Sequence, residues 1–287
     1  MSRSGGPAAS AGRRGVLRLA FRRDGRTVLS GQFAQAPFHV QRAVYCEESL
    51  PEMAYLYIMS TAGGVLGGDS HRMEVTLGEG ALVHLTTQGA TRIYDTGPGE
   101  ARQTAEITLG RDSYLEFVPD QIIPYKNSRY LQETSMVVDD SATMVYTEVL
   151  ASGRLAMDES FQYDSCFLRT EASDQDGHIR FADAALIEPS RRSPSEYGVM
   201  GEYTVAGTAY ILAPKHHVPG LYEKINGAVS GGDGRTAGGA SGMREGSGVL
   251  ARVLGHGAED VKVVMLSVAA LARRQILDAP LSDIRKS

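Results

Sequence analysis

The sequence predicts a mainly β protein closed by about two α-helices near its C-terminus, and three observations carry that prediction. Residues 16–212 are built from short runs in which apolar and polar side chains alternate with period two, broken at Gly, Pro, Asn and Asp, as strands separated by turns require. After residue 214 the apolar spacing becomes helical in two segments. With 287 residues, 42% hydrophobic and 22% charged, the chain has the apolar content of a folded protein rather than a disordered one.

The strands follow in order. Residues 70–77 read as strand. In residues 81–88, Leu82, His84 and Thr86 face one way while Val83, Leu85 and Thr87 face the other. A strand over 113–118 stops at Pro119, which has no N–H for a sheet ladder. Residues 142–150 are rich in Val, Thr and Tyr, the residues that suit a pleated surface. Residues 161–169 and 178–187 flank Ser173-Asp174-Gln175-Asp176-Gly177, and the Asp-Gly step supplies the positive φ of a tight reversal. The last strand, 203–212, ends before Pro214.

Pro219 suits the first turn of a helix carrying Leu221, Tyr222, Ile225 and Val229, which weakens at Gly227. A longer helix over 258–277 puts Val261, Val264, Met265, Val268, Leu271 and Ala272 on one face, with acidic Glu259 and Asp260 at its start and Arg273 and Arg274 near its end, as the helix dipole favours. Between them, residues 227–248 are mostly Gly, Ser, Ala and charge, too poor in apolar groups to offset the entropy of ordering. They are expected to form a flexible insertion in a single domain spanning 15–287, after a disordered start over 1–14. No repeat of fixed period is visible, so self-similarity does not indicate a regular solenoid.

The net charge of −5 and pI of about 5.8 provide no basic field for nucleic-acid phosphates. Arg13, Arg14, Arg18, Arg22 and Arg23 read as a solvated flank. Cys46 and Cys166 are too far apart and too few for a disulfide framework or zinc knuckle. No apolar run approaches a membrane span and no signal peptide is evident, so a cytoplasmic protein is expected.

The densest motif, Thr61 to Asp69, holds Gly63, Gly64, Gly67 and Gly68. It lacks the Gly-Lys-Ser/Thr of a phosphate loop and the helix after a dinucleotide fingerprint, so it reads as a structural turn or a contact surface. A second motif, Leu85 to Tyr94, gathers hydroxyls and Gln88 at a strand end without a nucleophile and base. Histidines are sparse, and the adjacent His216 and His217 are not expected to chelate. Paired carboxylates at 47–48, 139–140 and 158–159 leave open a carbohydrate-acting enzyme that uses two acids, although the chain has no Trp for sugar stacking. Asp69, Glu148 and Glu188 stand alone in apolar surroundings, where a buried carboxylate must find a partner, water or a cation.

Taken in order, Gln35-Ala36-Pro37 with Val40-Gln41-Arg42 and Tyr45, the Gly63 to Asp69 loop, Leu85-Thr86-Thr87-Gln88 with Ala90 to Tyr94, Leu115 to Pro119, and Gly153-Arg154 before Glu159 resemble the urease accessory protein family UreD, also called UreH. The resemblance implies a β-helix-like body, no catalytic residues, and a chaperone role in nickel insertion. The implied partners are UreF, UreG and apo-urease, with no nucleic acid or membrane. No cofactor would be tightly bound; nickel would pass transiently, with Asp69, Glu148 and Glu188 as candidates for its path. Gly64, Gly67, Gly68, Gln88, Tyr94 and Arg154 are the corresponding candidates for partner contact. Asp158-Glu159 departs from the family's Gly-Glu, and the chain ends without the family's Trp-containing tail.

Overall fold

The computed structural model describes residues 12–231 and 234–281. Expectations for residues 1–11 and the final six residues lie outside this range. A hairpin of β1 (Arg14–Asp24) and β2 (Arg26–Gln35) leads through β3 (Phe38–Val40) to β4 (Ala54–Ser60). The chain then winds. β5 (Ser70–Leu77), β6 (Leu82–Thr87) and β7 (Thr91–Ile93) make one coil, and β8 (Ala101–Leu109), β9 (Tyr114–Phe117) and β10 (Ile122–Pro124) make the next. β11 (Arg129–Val138) and β12 (Thr143–Ala151) follow, and β13 (Ser165–Ser173) reverses into β14 (Ile179–Ile187). β15 (Val205–Leu212), α1 (Val218–Ser230), β16 (Thr236–Gly242), β17 (Gly248–Gly255) and α2 (Ala258–Leu277) complete the described chain.

Parallel stacking of β1, β5, β8, β11 and β13 forms one face. Stacking of β4, β6, β9 and β12 forms a second, and β7 with β10 forms a short third face. The body is a β-solenoid, the β-helix-like body that the resemblance implied, although the sequence shows no repeat of fixed period. Its period is hidden because coils differ in length: the register stacks His71, Gln103, Gln132 and Leu168, which are separated by unequal steps in the sequence.

Alternation determines what each face buries. Val83 and Leu85 point into the core between the first two faces, with Leu56, Phe117 and Tyr146 stacked on the same line. Phe117, Tyr146, Tyr210 and Phe181 continue as stacked rings with centroids 5.5, 5.9 and 5.1 Å apart, within the range of favourable aromatic pairing. The opposite side of the second face is covered by both helices, through Leu221, Ile225, Val261, Met265 and Val268 against Val145, Val149, Val205 and Ala209. Tyr222 and Val264 lie outside the fully buried set, because the stripes are narrower than the apolar spacing suggests.

Three further expectations change. Residues 227–248 were expected to be flexible, but α1 runs to Ser230 and β16 pairs antiparallel with β17 from Thr236 to Gly242. Backbone hydrogen bonding supplies order here without apolar side chains. Glycine also permits the close approach, since a Cβ on Gly238 would lie 2.7 Å from the Arg252 carbonyl oxygen. The N-terminal boundary also moves, with Arg14 already in β1 and Arg18 bonded to Glu74 at 2.9 Å. β13 starts at Ser165 rather than near 161, because Phe161 has φ +53°, which no strand residue adopts.

Arg273 is the largest departure. Read as a cation favoured by the end of α2, it is fully buried, with Nε 2.6 Å from Glu116 and a terminal nitrogen 2.5 Å from Glu47. His84 Nδ1 lies 3.3 Å from the other Glu116 oxygen, and the His84 ring stacks on Tyr55 at 4.9 Å. Burial disfavours the guanidinium charge, but Glu116 and Glu47 outweigh it and hold the pKa above its ordinary value. This cluster ties α2 to two coils and to the segment before β4.

Candidate functional site

The first face turns its side chains inward at every second residue, and the row at the strand starts, Ala101, Tyr130 and Cys166, packs in an apolar cluster with Ile93 and Ile122 of the third face. His71 of β5, Gln103 of β8 and Gln132 of β11 occupy one inward row. Met73, Ala105, Thr134 and Thr170 form the next row, and Val75, Ile107, Met136 and Ala172 the one beyond it. The interior therefore carries a polar row between two apolar clusters. A cavity of about 390 Å³ lies along the polar row, lined by His71, Met73, Gln103, Ala105, Gln132 and Thr134 and by Thr87, Gln88, Asp120, Ile122, Tyr146 and Glu148.

Glu148 projects inward from β12 and is buried. It accepts hydrogen bonds from the Gln132 amide at 2.5 Å, the Tyr146 hydroxyl at 2.9 Å and the Thr170 hydroxyl at 3.3 Å. Burial raises its pKa, and the hydrogen bonds from Tyr146, Gln132 and Thr170 oppose that rise. The Tyr130 hydroxyl donates to the Gln132 oxygen at 2.9 Å and orients the amide. At the mouth, Asp120 lies 3.2 Å from Lys262 of α2.

The other isolated carboxylates sit elsewhere. Asp69 accepts the backbone N–H of Arg13 at 2.7 Å and of Leu66 at 2.9 Å, so it ties the glycine loop to the start of β1. Glu188 follows β14 and pairs with Arg191 at 2.8 Å, away from the residues lining the cavity. The structure thus brings Glu148, but neither of the other two, into the cavity wall.

Most of the motif residues gather on the third face. Val65 bridges Ile93 in parallel, and a Cβ on Gly64 would lie 2.7 Å from the Arg92 carbonyl and 2.9 Å from the Tyr94 ring. A Cβ on Gly67 would come within 2.1 Å of the Thr96 carbonyl. Gly68 donates its N–H to Glu100 at 2.9 Å. Tyr94 then packs on Tyr125 at 5.1 Å, and the Arg154 guanidinium lies over Tyr125 at 4.3 Å while Nε bonds Glu159 at 2.8 Å. Gln88 is exposed at the cavity mouth. Motifs far apart in sequence therefore form one surface beside the cavity.

Sequence reasoning missed His71, Gln103 and Gln132. Their signal was present as polar residues at inward positions of alternating strands, but it is recognisable only once the register is known. Among the described residues, Asp174, Asp176 and His178 bring ligand atoms within 4.8 Å of one another, yet they form an exposed hairpin turn in which Asp174 already accepts the N–H groups of Asp176 and His178 at 2.9 Å. His216 and His217 precede α1 rather than lying on a strand, and their rings pack at 4.1 Å instead of pointing apart. No helix among the described residues is long and apolar enough to cross a membrane.

Comparison with known proteins supplies the context for this geometry. A family model described as "UreD urease accessory protein" matches residues 13–286. "Urease accessory protein UreD" of Cenarchaeum symbiosum (strain A) is 39% identical over 276 residues, covering 96% of both chains. "Urease accessory protein UreD 2" of Brucella canis is 38% identical over 280 residues, covering 96% of this chain and 92% of its own. The Haloarcula marismortui protein "Urease accessory protein UreD" is 37% identical over 279 residues with the same coverage.

Proposed function

Because the chain belongs to the UreD urease accessory protein family, we propose that it serves in the cytoplasm as a non-catalytic scaffold for nickel insertion into apo-urease, together with UreF and UreG. The observation that carries this reading is the cavity inside the solenoid, polar along one side and bordered by the buried carboxylate of Glu148. A hydrated dication moving through a protein needs oxygen donors that bind weakly and exchange fast. Amide oxygens of Gln103 and Gln132, hydroxyls of Thr134 and Tyr146, and one carboxylate are such donors. Nickel is cargo here, held briefly, and no resident cofactor is required.

Asp69 contributes by shaping the entrance loop and Glu188 through the outer edge at β14, and each is an activation candidate beside Glu148. The surface of Gly64, Gly67, Gly68, Tyr94 and Arg154, with Gln88 at the mouth, is the region for partner contact. The carbohydrate-enzyme alternative gains no support, since the relatives named above are accessory proteins.

The test is co-expression of urease subunits, UreF and UreG with and without this chain in nickel-supplied cells. Urease activity and its nickel content should depend on the chain. Glu148→Gln should lower both while the chain still co-purifies with UreF. Full activation without the chain, or with Glu148→Gln, contradicts the reading.

A further inference from the structure

We infer that the groove beside the turn between β13 and β14 binds the oxyanion group, phosphate or carboxylate, of a small molecule, with Arg180 as its anchor. The groove has a volume of about 340 Å³ and shares no lining residue with the cavity inside the solenoid, so it stands apart from the nickel route proposed above. Its size is that of a small-molecule pocket. Asp140 in the turn after β11, Asp174 and His178 in the hairpin turn, Lys215 beyond β15, and the connection between β16 and β17 form its walls.

A bulge places Arg180 there. Ser173 pairs with Ile179 and Ala172 with Phe181, which leaves Arg180 as the extra residue of β14, and a bulge re-aims the side chain that it leaves unpaired. The Arg180 side chain is only 9% exposed, whereas the carboxylate that it bonds, Asp140, is 86% exposed. A carboxylate so well hydrated compensates poorly for the burial of a guanidinium. The remaining guanidinium nitrogens have no protein partner among the described residues, and they are not sealed from solvent. They therefore open on accessible space, and the groove is the space that Arg180 lines.

The donors define the ligand. A guanidinium presents its N–H groups in a planar fork that matches two oxygens of a carboxylate or a phosphate. Lys215 is exposed, has no ion-pair partner among the described residues, and adds a second cation to the wall. The other carboxylates of the groove are engaged: Asp174 accepts the N–H groups of Asp176 and His178 at 2.9 Å, and Glu245 pairs with Arg244 at 3.2 Å. Their charge still opposes a polyanion, so the groove suits a small ligand with one oxyanion group rather than nucleic acid.

The experiment follows the Arg180 Nε–H signal of the full chain by ¹⁵N-edited nuclear magnetic resonance, identified by its loss in Arg180→Lys, which keeps the charge beside Asp140 but removes the fork. Inorganic phosphate, glycerol 3-phosphate and succinate are titrated at constant ionic strength. A saturable shift with a Kd of about 1 mM or tighter is expected for glycerol 3-phosphate or for succinate, and the tighter of the two identifies the class. Arg180→Lys, followed through neighbouring backbone amides, should weaken that ligand by about tenfold. Lys215→Ala, at an exposed position, should weaken it by about threefold, and Asp140→Asn, which removes the group competing for Arg180, should tighten it by a similar factor. Absence of saturation with all three probes overturns the assignment. So does an affinity that none of the three substitutions alters, or an equal shift with chloride, since either would reduce Arg180 to a structural ion pair.

Discussion

Arg273→Ala should destabilise the protein severely, although the residue lies far from the cavity. The guanidinium is completely buried between Glu116 at 2.6 Å and Glu47 at 2.5 Å, and both carboxylate side chains are also fully buried. Truncation removes two charge-assisted bonds and leaves two carboxylates facing each other without their shared cation. Breaking a buried pair by deleting one partner costs about 3–5 kcal/mol. For a chain somewhat longer than 150–250 residues, at roughly 2 °C per kcal/mol, the midpoint should fall by about 6–10 °C. Thermal melts by circular dichroism provide the assay. The companion triple variant Glu47→Gln, Glu116→Gln, Arg273→Met should recover much of the loss, since it leaves no buried charge. A shift below 2 °C for Arg273→Ala, or a triple variant worse than the single one, would refute the argument that an uncompensated charge drives the effect.

Gly67→Ala should cost about 1–3 kcal/mol by overpacking, because its Cβ meets the Thr96 carbonyl at 2.1 Å; denaturant titration with an unchanged midpoint would contradict the close approach. Glu148→Gln should flatten the dependence of stability on pH. The folded-state pKa is raised from 4.5 by burial, so the wild type is favoured by protonation at low pH and loses stability as pH climbs from 4.5 through the raised value, and the variant lacks that step. Deleting 236–242 should lower the melting midpoint and promote association seen by light scattering, because it bares the edge of β17 and uncovers α1. Retained solubility and stability would restore the view of that segment as a dispensable loop.

Local chemistry made much of the fold legible. Alternation in 81–88 separated Val83 and Leu85 from Leu82 and His84, and β6 buries the first pair in one core, Leu82 in the other, and His84 against Glu116. The Asp-Gly step placed the hairpin between β13 and β14, and Pro119 followed the end of β9. Helical spacing located α2 to the residue and the start of α1 to within one, although α1 runs past Gly227 to Ser230. These features depend on neighbours in sequence, whose side-chain directions are set by the period of the backbone.

The site depended on distances between coils. His71, Gln103 and Gln132 become one row only when β5, β8 and β11 stack in register, and unequal loops conceal that register from any search for a repeat. Arg273 resembled a cation favoured by the end of a helix until packing delivered Glu116 and Glu47 to it from more than 150 positions away. In β16, backbone pairing with β17 ordered a segment whose composition pointed to disorder. Glu148 was recognisable as a carboxylate among apolar neighbours, but whether such a group faces a cavity, caps a loop as Asp69 does, or pairs with an arginine as Glu188 does depends on which strands lie beside it. The face a side chain uses is local information; what stands opposite that face is supplied only by the folded chain.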